Sequence, residues 1–367
     1  MLRSKLLTAT SGLFRYSTVC FTPASPLIPQ RCIGAPKRLS QIHTSVLALT
    51  QHSSAIPASF PKMVDIETAK RNAARRAVAD HFSPSYSYIG IGSGSTIVYV
   101  IEEIQELAKK SPEISQISYV PTGYQSRQVI TNAGLKDIRF DSLPKDVFID
   151  VAFDGADEID EELNCIKGGG ACLYQEKLVA THARKFICVA GTSLPVPLYK
   201  TPPTNPKDHR KLQPRLLTHW PTIPIEVEPL AVRSVLASLV SLGSSNPQIR
   251  TGQLQKAGPI KTDQDNFIVD APFPTLLLKS ELTDSESKQT GVKAKGRWEV
   301  EALAREIKMM EGVLSVGLFV GMNGLKAERM GLKAGGQKPV AAYLGMEDGS
   351  VIVRNSDEIK EETGGES

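Results

Sequence analysis

Two periods of apolar and polar residues alternate along this chain, and the switches between them mark out its elements. Residues 65–82 set Ala, Ile and Val against Lys and Arg at helical spacing, in an alanine-rich window that favours helix. Tyr86–Ile91 then reads as a short strand that empties into Gly90-Ile-Gly-Ser-Gly-Ser-Thr96. Behind it Ile97, Val98, Ile101, Ile104 and Leu107 mark one face of a helix. Ile117–Pro121 predicts a strand, and Tyr124–Ile130 opens a helix that stops at Gly134. Residues 147–153 are apolar on both faces except at Asp150, the pattern of a strand covered on both sides. A helix over 171–183 and a strand over Lys185–Ala190 follow. Strands alternating with helices at this spacing predict an α/β fold with a doubly wound, mostly parallel Rossmann-like sheet.

The pattern changes after residue 190. Residues 191–224 carry eight prolines and little periodicity, as in a linker or a long surface excursion. Beyond them come a strand (223–228), a helix begun by Pro229, strands at 248–251 and 266–270, a helix at 298–310 and a strand at 313–320. The order β-α-β-β-α-β predicts a second, smaller ferredoxin-like α+β domain. Polar insertions interrupt it at 275–296 and at 321–339, the latter with five glycines. Residues 341–344 and 350–354, joined through Glu-Asp-Gly, predict a closing hairpin. The expected division is an extension (1–62), a Rossmann-like catalytic domain (63–222 plus 320–355), the small domain (223–319) and a disordered acidic tail (356–367).

Charge changes the picture in one place. The formal net charge is +4, yet residues 1–64 hold seven basic residues and no acid. The remainder has 36 basic against 39 acidic residues, a balance of −3, so the basic character belongs to the extension and supports no nucleic-acid partner. That extension is Ser/Thr-rich and Arg-bearing, the composition of an organelle transit peptide. Met63 opens a complete helical segment, so a product starting there is expected in the cytoplasm, and the full chain in mitochondria. The sequence has no apolar run of membrane-spanning length. Five cysteines (20, 32, 165, 172, 188) form no Cys-x-x-Cys, which argues against a metal or disulfide framework; Cys172 and Cys188 are expected to pack as small apolar residues.

Candidate chemistry gathers in two stretches. Glycines, hydroxyls and a helix start at Gly90–Thr96 make an anion site, in which Ser93, Gly94, Ser95 and Thr96 are the candidate ligands. Gly-Lys-Ser/Thr is missing, and Ser95 stands where the dinucleotide fingerprint requires its third glycine, so a small phosphate ester suits the loop better than a nucleotide. The second stretch is Ile149–Ala180. A strand releases Asp154, Asp157 and Glu158, then Lys167 and Gly168-Gly169-Gly170 precede a helix carrying Glu176. Strand, acids, cation, bare backbone and a lone carboxylate at a helix start together read as a site.

At Asp154-Gly-Ala-Asp-Glu-Ile-Asp, Lys167-Gly-Gly-Gly-Ala and Glu176-Lys177 the chain closely resembles the type A ribose-5-phosphate isomerases. Pro121-Thr-Gly-Tyr-Gln-Ser-Arg-Gln, Pro224-Ile-Glu-Val-Glu-Pro, Lys261-Thr-Asp-Gln-Asp-Asn-Phe-Ile-Val-Asp and Gly312-Val-Leu-Ser-Val-Gly-Leu-Phe extend the likeness over about 64–354. The resemblance implies interconversion of D-ribose 5-phosphate and D-ribulose 5-phosphate through a cis-enediolate, with no metal or organic cofactor, in a homodimer or homotetramer. It implies Glu176 as the base, Asp154 and Asp157 as hydroxyl-binding groups that assist ring opening, and Lys167 with the glycines on the oxyanion side. Phosphate would fall to Ser93, Ser95 and Thr96 with Lys70 or Arg71 from the first helix. Glu158 and Asp160 read instead as helix-start capping acids.

One departure stands out. After the strand at 185–190 the family has an Asp and, three residues later, a Lys or Arg for the phosphate; here Gly191 and Leu194 occupy those places. Lys200, Lys207 or Arg210 are the substitutes at hand. Two other uses of such a fold remain. A coenzyme A transferase would not need the Asp-Gly-Ala-Asp set, and a non-catalytic sugar-phosphate sensor would normally add a DNA-binding module and could lose Glu176.

Overall fold

In the computed structural model the described residues are 65–191, 211–252, 258–283, 293–294 and 296–356. Expectations for the N-terminal extension, for Lys200, Lys207 and Arg210, and for the tail beyond Ser356 lie outside them.

The first half folds as its periodicity predicts. Helix α1 (Ile66–His81) starts where Asp65 Oδ1 accepts from Thr68 N at 2.8 Å, and it buries Ala69, Ala73, Ala74, Ala77 and Val78. Strand β1 (Tyr88–Ile91) leads to α2 (Ile97–Ala108), whose buried Ile97, Val100, Ile101 and Ile104 follow the spacing of one helical face. Burying each such side chain stabilises the fold by roughly 1.5–3 kcal/mol. Next come β2 (Ser118–Pro121), α3 (Tyr124–Asn132), a two-residue β3 (Lys136–Asp137) that the pattern does not announce, and β4 (Ile149–Asp154).

Acids after β4 do not begin a helix. Glu158–Ile159 (β5) and Cys165–Ile166 (β6) pair as an antiparallel hairpin, which corrects the capping role expected for Glu158 and Asp160. Glu158 is buried and accepts from the N–H groups of Leu217 (2.5 Å), His219 (2.7 Å) and Trp220 (3.3 Å). Asp160 instead ties the hairpin turn, through Asn164 N at 2.8 Å and Glu162 N at 3.0 Å. Helix α4 (Leu173–Thr181) and strand β7 (Ala183–Gly191) complete this half. Cys188 is buried, as expected, with its Sγ 3.9 Å from that of Cys165; Cys172 is half-buried.

Residues 211–222 are no surface excursion: Leu216, Leu217 and Trp220 sit in the core of the second half. That core also takes in β8 (Ile223–Val227), α5 (Val232–Leu242) and β10 (Phe267–Ala271), with the two-residue β9 (Gln248–Ile249) paired to β10 at the sheet edge. After a short hairpin, β11 (Lys293–Ala294) with β12 (Arg297–Trp298), come α6 (Val300–Lys308) and β13 (Val313–Val316). The expected strand 313–320 is broken at Gly317, and Leu318–Phe319 (β14) joins β6 in a different sheet. Gly317 accepts from Lys167 N at 2.9 Å and donates to Pro224 O at 2.7 Å, and a Cβ there would lie 2.5 Å from Lys167 O. The glycine therefore lets one backbone serve both sheets. The insertion 321–339 holds a short helix, α7 (Gly324–Arg329), before the hairpin of β15 (Ala341–Gly345) and β16 (Val351–Asn355).

The central sheet runs β16-β15-β7-β4-β1-β2-β3 and is parallel except at β16. The four-stranded antiparallel sheet runs β13-β8-β10-β9, and β14-β6-β5 lies as a third sheet. From β1 the chain moves outward to β2 and β3, then returns to place β4 on the other side of β1. Open α/β sheets bind ligands at such a reversal, above the carboxyl ends of the strands.

Candidate active site

The reversal between β1 and β4 opens into a cleft of about 530 Å³. From β1 comes the loop Ser93–Thr96; from β4 come Asp154, Gly155, Ala156 and Asp157; from the turn before α4 come Lys167, Gly168, Gly169 and Gly170. Gly92 is where the loop and β4 meet. Its N–H donates to Phe153 O at 2.8 Å, and a Cβ on it would stand 2.0 Å from Asp154 Oδ1, so no larger residue fits.

At the base of the cleft lies a buried trio. Lys167 Nζ is 2.9 Å from Asp154 Oδ2 and 3.3 Å from Glu176 Oε2, and it donates to Gly155 O at 2.6 Å. Ser93 Oγ donates to Glu176 Oε1 at 2.9 Å, whereas Glu176 Oε2 makes no hydrogen bond among the described residues. Burial opposes the Lys167 ammonium, but Asp154 and Glu176 outweigh it and hold its pKa above the ordinary lysine value. Asp154 moves the other way. Burial, reinforced by Glu176 and resisted by Lys167, lifts its pKa to about 7. Two carboxylates and one ammonium thus share one buried site.

Glu176 is there because of its helical position. Leu173, Glu176, Val179 and Ala180 form the buried face of α4, so a carboxylate interrupts an apolar stripe. Lys177 turns the other way, donating to Leu318 O and Gln337 Oε1, each at 2.6 Å, with its Nζ 3.6 Å from the Phe319 ring centre. Cys172 at the N-terminus of α4 offers no side-chain cap. Glu226 of β8 takes that place: its Oε2 accepts from Tyr174 N at 2.8 Å, while its Oε1 is held by Thr262 and Asn266.

The remaining expected residues divide. Asp157 is half-buried and accepts from Gly169 N at 2.8 Å, and burial raises its pKa. Lys70 reaches the loop, donating to Ser95 Oγ at 3.0 Å and to Glu67 at 2.8 Å. Arg71 points out of the cleft, paired with Glu102 over the Tyr99 ring. Gly191 lines the cleft against Lys70.

Four cleft residues escaped the sequence reading. Gln125 Oε1 accepts from Gly94 N at 3.1 Å and orients the loop. Tyr124 and Asp263 meet at the mouth, where Tyr124 N donates to Asp263 Oδ2 at 2.9 Å. Lys211 enters from the strand-like run beside β5, its Nζ 2.5 Å from Ala156 O; burial pushes its ammonium below the ordinary value, against the pull of Asp157. A signal for Lys211 existed: Asp208 stands three residues before it, the spacing sought at Gly191 and Leu194, but displaced by 17 residues.

Comparison with known proteins identifies the family. The chain matches the family model for ribose 5-phosphate isomerase A (phosphoriboisomerase A) over residues 118–202 and 207–326. It is 38% identical over 301 residues to a ribose-5-phosphate isomerase of Mycosarcoma maydis, spanning 82% of this chain and 85% of that protein. A Schizosaccharomyces pombe protein of the same name is 39% identical, over 79% and 84%. Among solved structures, a D-ribose-5-phosphate isomerase in complex with phospho-erythronic acid aligns with a TM-score of 0.58 at 28% identity, over 80% of this chain and all of that one. The Plasmodium falciparum ribose 5-phosphate isomerase aligns with a TM-score of 0.57 at 25% identity, over 79% and 98%.

Proposed function

The chain belongs to the ribose 5-phosphate isomerase A family and catalyses its aldose–ketose isomerisation, and we propose that the Glu176 carboxylate is the proton carrier. The observation that carries this is its burial within 3.3 Å of Lys167, one oxygen fixed by Ser93 and the other without a hydrogen bond among the described residues.

D-Ribose 5-phosphate binds with its phosphate on Ser93–Thr96 between the ammonium groups of Lys70 and Lys211, both of which line the cleft. Asp157 and Asp154 hold sugar hydroxyls and assist ring opening. In the open-chain aldose Glu176 removes the proton from C2. Electrons move into the C1 carbonyl, and the oxygen at C1 takes the negative charge against the Lys167 ammonium. The cis-enediolate then collapses: Glu176 returns the proton to C1, O2 loses its proton as its carbonyl forms, and O1 gains one. Net, one hydrogen moves from C2 to C1 and one from O2 to O1, with no electron gained or lost overall. A carboxylate that must both take and return the same proton works best where water is excluded and a cation faces the developing charge.

The phospho-erythronic acid held by a solved relative has a carboxylate where the enediolate would carry its oxygens, which makes it a fitting probe for this cleft. We also read the β13-β8-β10-β9 sheet as the ferredoxin-like split arrangement, and the molecule as a homo-oligomer of two or four copies, testable by light scattering after size exclusion.

Protein beginning at Met63 is expected to convert ribose 5-phosphate to ribulose 5-phosphate with EDTA present. Glu176→Gln should lower kcat by about 10³-fold or more with KM within a few-fold, as for loss of an interaction made in the transition state. Near-parental turnover by that variant would overturn the assignment of the base.

A further inference from the structure

Arg250, at the end of β9 in the four-stranded sheet, has no place in the mechanism so far, yet it grips the catalytic loop. Its Nε and Nη2 form a two-pronged pair with Asp270 at 2.8 and 2.6 Å. Its Nη1 donates to Gly168 O and to Gly169 O, each at 2.9 Å. The side chain is 15% exposed.

Peptide geometry gives this grip a consequence. In a trans peptide the C=O and the next N–H point in opposite directions. Drawing Gly168 O toward Arg250 turns the Gly169 N–H away, and it meets Asp157 Oδ2 at 2.8 Å. Drawing Gly169 O the same way turns the Gly170 N–H away too. Among the described residues that donor has no partner, and Gly170 lines the cleft. A Cβ built on Gly170 would lie 3.9 Å from Ser93 Oγ, the hydroxyl that donates to Glu176. Gly170 therefore stands beside the corner of the cleft that holds the base. Gly168 at φ +101° allows the backbone to make this turn.

We propose that Arg250 is a positioning residue for the isomerisation: by holding the carbonyls of Gly168 and Gly169 from the small sheet, it presents the Gly170 N–H as a second donor, beside Lys167, to the oxyanion of the enediolate. A lysine cannot replace it fully, because only the planar guanidinium reaches Asp270 with two nitrogens while a third faces both carbonyls. Asp270 fixes the plane of the fork. The two sheets are thus joined at the point where negative charge develops, which rests on the reading of the glycine turn as the oxyanion side.

The test compares two ligands that differ at that point. Phospho-erythronate carries an anion in place of the enediolate oxygens; ribitol 5-phosphate keeps the phosphate and hydroxyls but has no carbonyl. Arg250→Gln, Arg250→Lys and Asp270→Asn would be characterised in the full chain by steady-state kinetics and calorimetric titration with both ligands. For Arg250→Gln, which displaces the donor without removing it, kcat and phospho-erythronate affinity should each fall about 10- to 100-fold, less than the roughly 10²- to 10³-fold seen when an oxyanion donor is removed outright, with ribitol 5-phosphate affinity within about 3-fold. Arg250→Lys should recover part of the loss, and Asp270→Asn should show a smaller one. Parallel weakening of both ligands, or unchanged kcat in a folded Arg250→Lys protein, would overturn the role of Arg250. Wild-type protein that binds phospho-erythronate no better than ribitol 5-phosphate would overturn the oxyanion reading itself.

Discussion

Asp154 is the residue on which burial and charge pull hardest against each other. Its pKa is raised to about 7, first by burial and then by Glu176, against the pull of Lys167. A carboxyl whose pKa is higher folded than unfolded binds more protons in the native state. Stability from this group is therefore full at low pH and declines as pH rises from about 4 to about 7. Chemical denaturation across that range should show a slope of at most about 1.4 kcal/mol per pH unit from this site, which Asp154→Asn removes. A slope unaltered in the variant would place the titration elsewhere. Lys211 makes a separate prediction. If it holds the phosphate, Lys211→Met should raise KM roughly 10- to 100-fold, the worth of one charge-assisted hydrogen bond, with kcat changed far less. A KM within a factor of two of the parent would exclude that contact.

At the scale of elements, α4 depends on a cap that it does not itself carry. Glu226 is fully buried on β8 and supplies the acceptor for Tyr174 N, while Thr262 and Asn266 donate to its other oxygen. Burial raises its pKa, with those three donors acting in the opposite sense. Glu226→Gln keeps the shape but turns an NH₂ toward a donor, so a loss of about 1–2 kcal/mol is expected. Thermal melting should read this as a Tm lower by a few degrees. An unchanged Tm would mean that α4 is capped in some other way. Helix and strand periods made most of these elements legible: α2 and β4 stand within two residues of where the periods place them, although Val100 is buried and Leu107, expected on the buried face, is exposed. Two-residue strands did not read. Glu158–Ile159 and Cys165–Ile166 are too short to show a period, and acids following a strand look the same whether they cap a helix or, like Glu158, hold three backbone N–H groups 60 residues away in sequence.

Across the whole molecule, the cleft is completed by Lys211 from a distant part of the chain. Lys211 reaches the cleft from beyond residues 191–207, and the family match itself lapses at 203–206. Without residues 191–207, Asp208-His-Arg-Lys211 would directly follow Ala190, with Asp208 in the place of Gly191, the last residue of β7, and the family's spacing restored. A protein lacking those 17 residues is expected to keep its melting temperature and its kcat/KM. Loss of activity in a folded deletion protein would show that the segment contributes to the site.

What the sequence determined by itself was local. Period and glycine spacing placed the strands, the Gly90–Thr96 loop and the turn before α4, because those signals lie within a few residues of one another. Three things needed the tertiary structure. Glu176 joins Lys167 and Asp154 because a helical stripe buries it against the ends of β4 and β6. Lys70 rather than Arg71 faces the loop because helical phase, which the sequence left open, turns one inward and the other toward Glu102. Arg250 holds the glycine turn and Glu226 caps α4 from another sheet, and no spacing encodes contacts between groups 82 and 52 residues apart. Such pairings exist only once burial has brought the two sheets together.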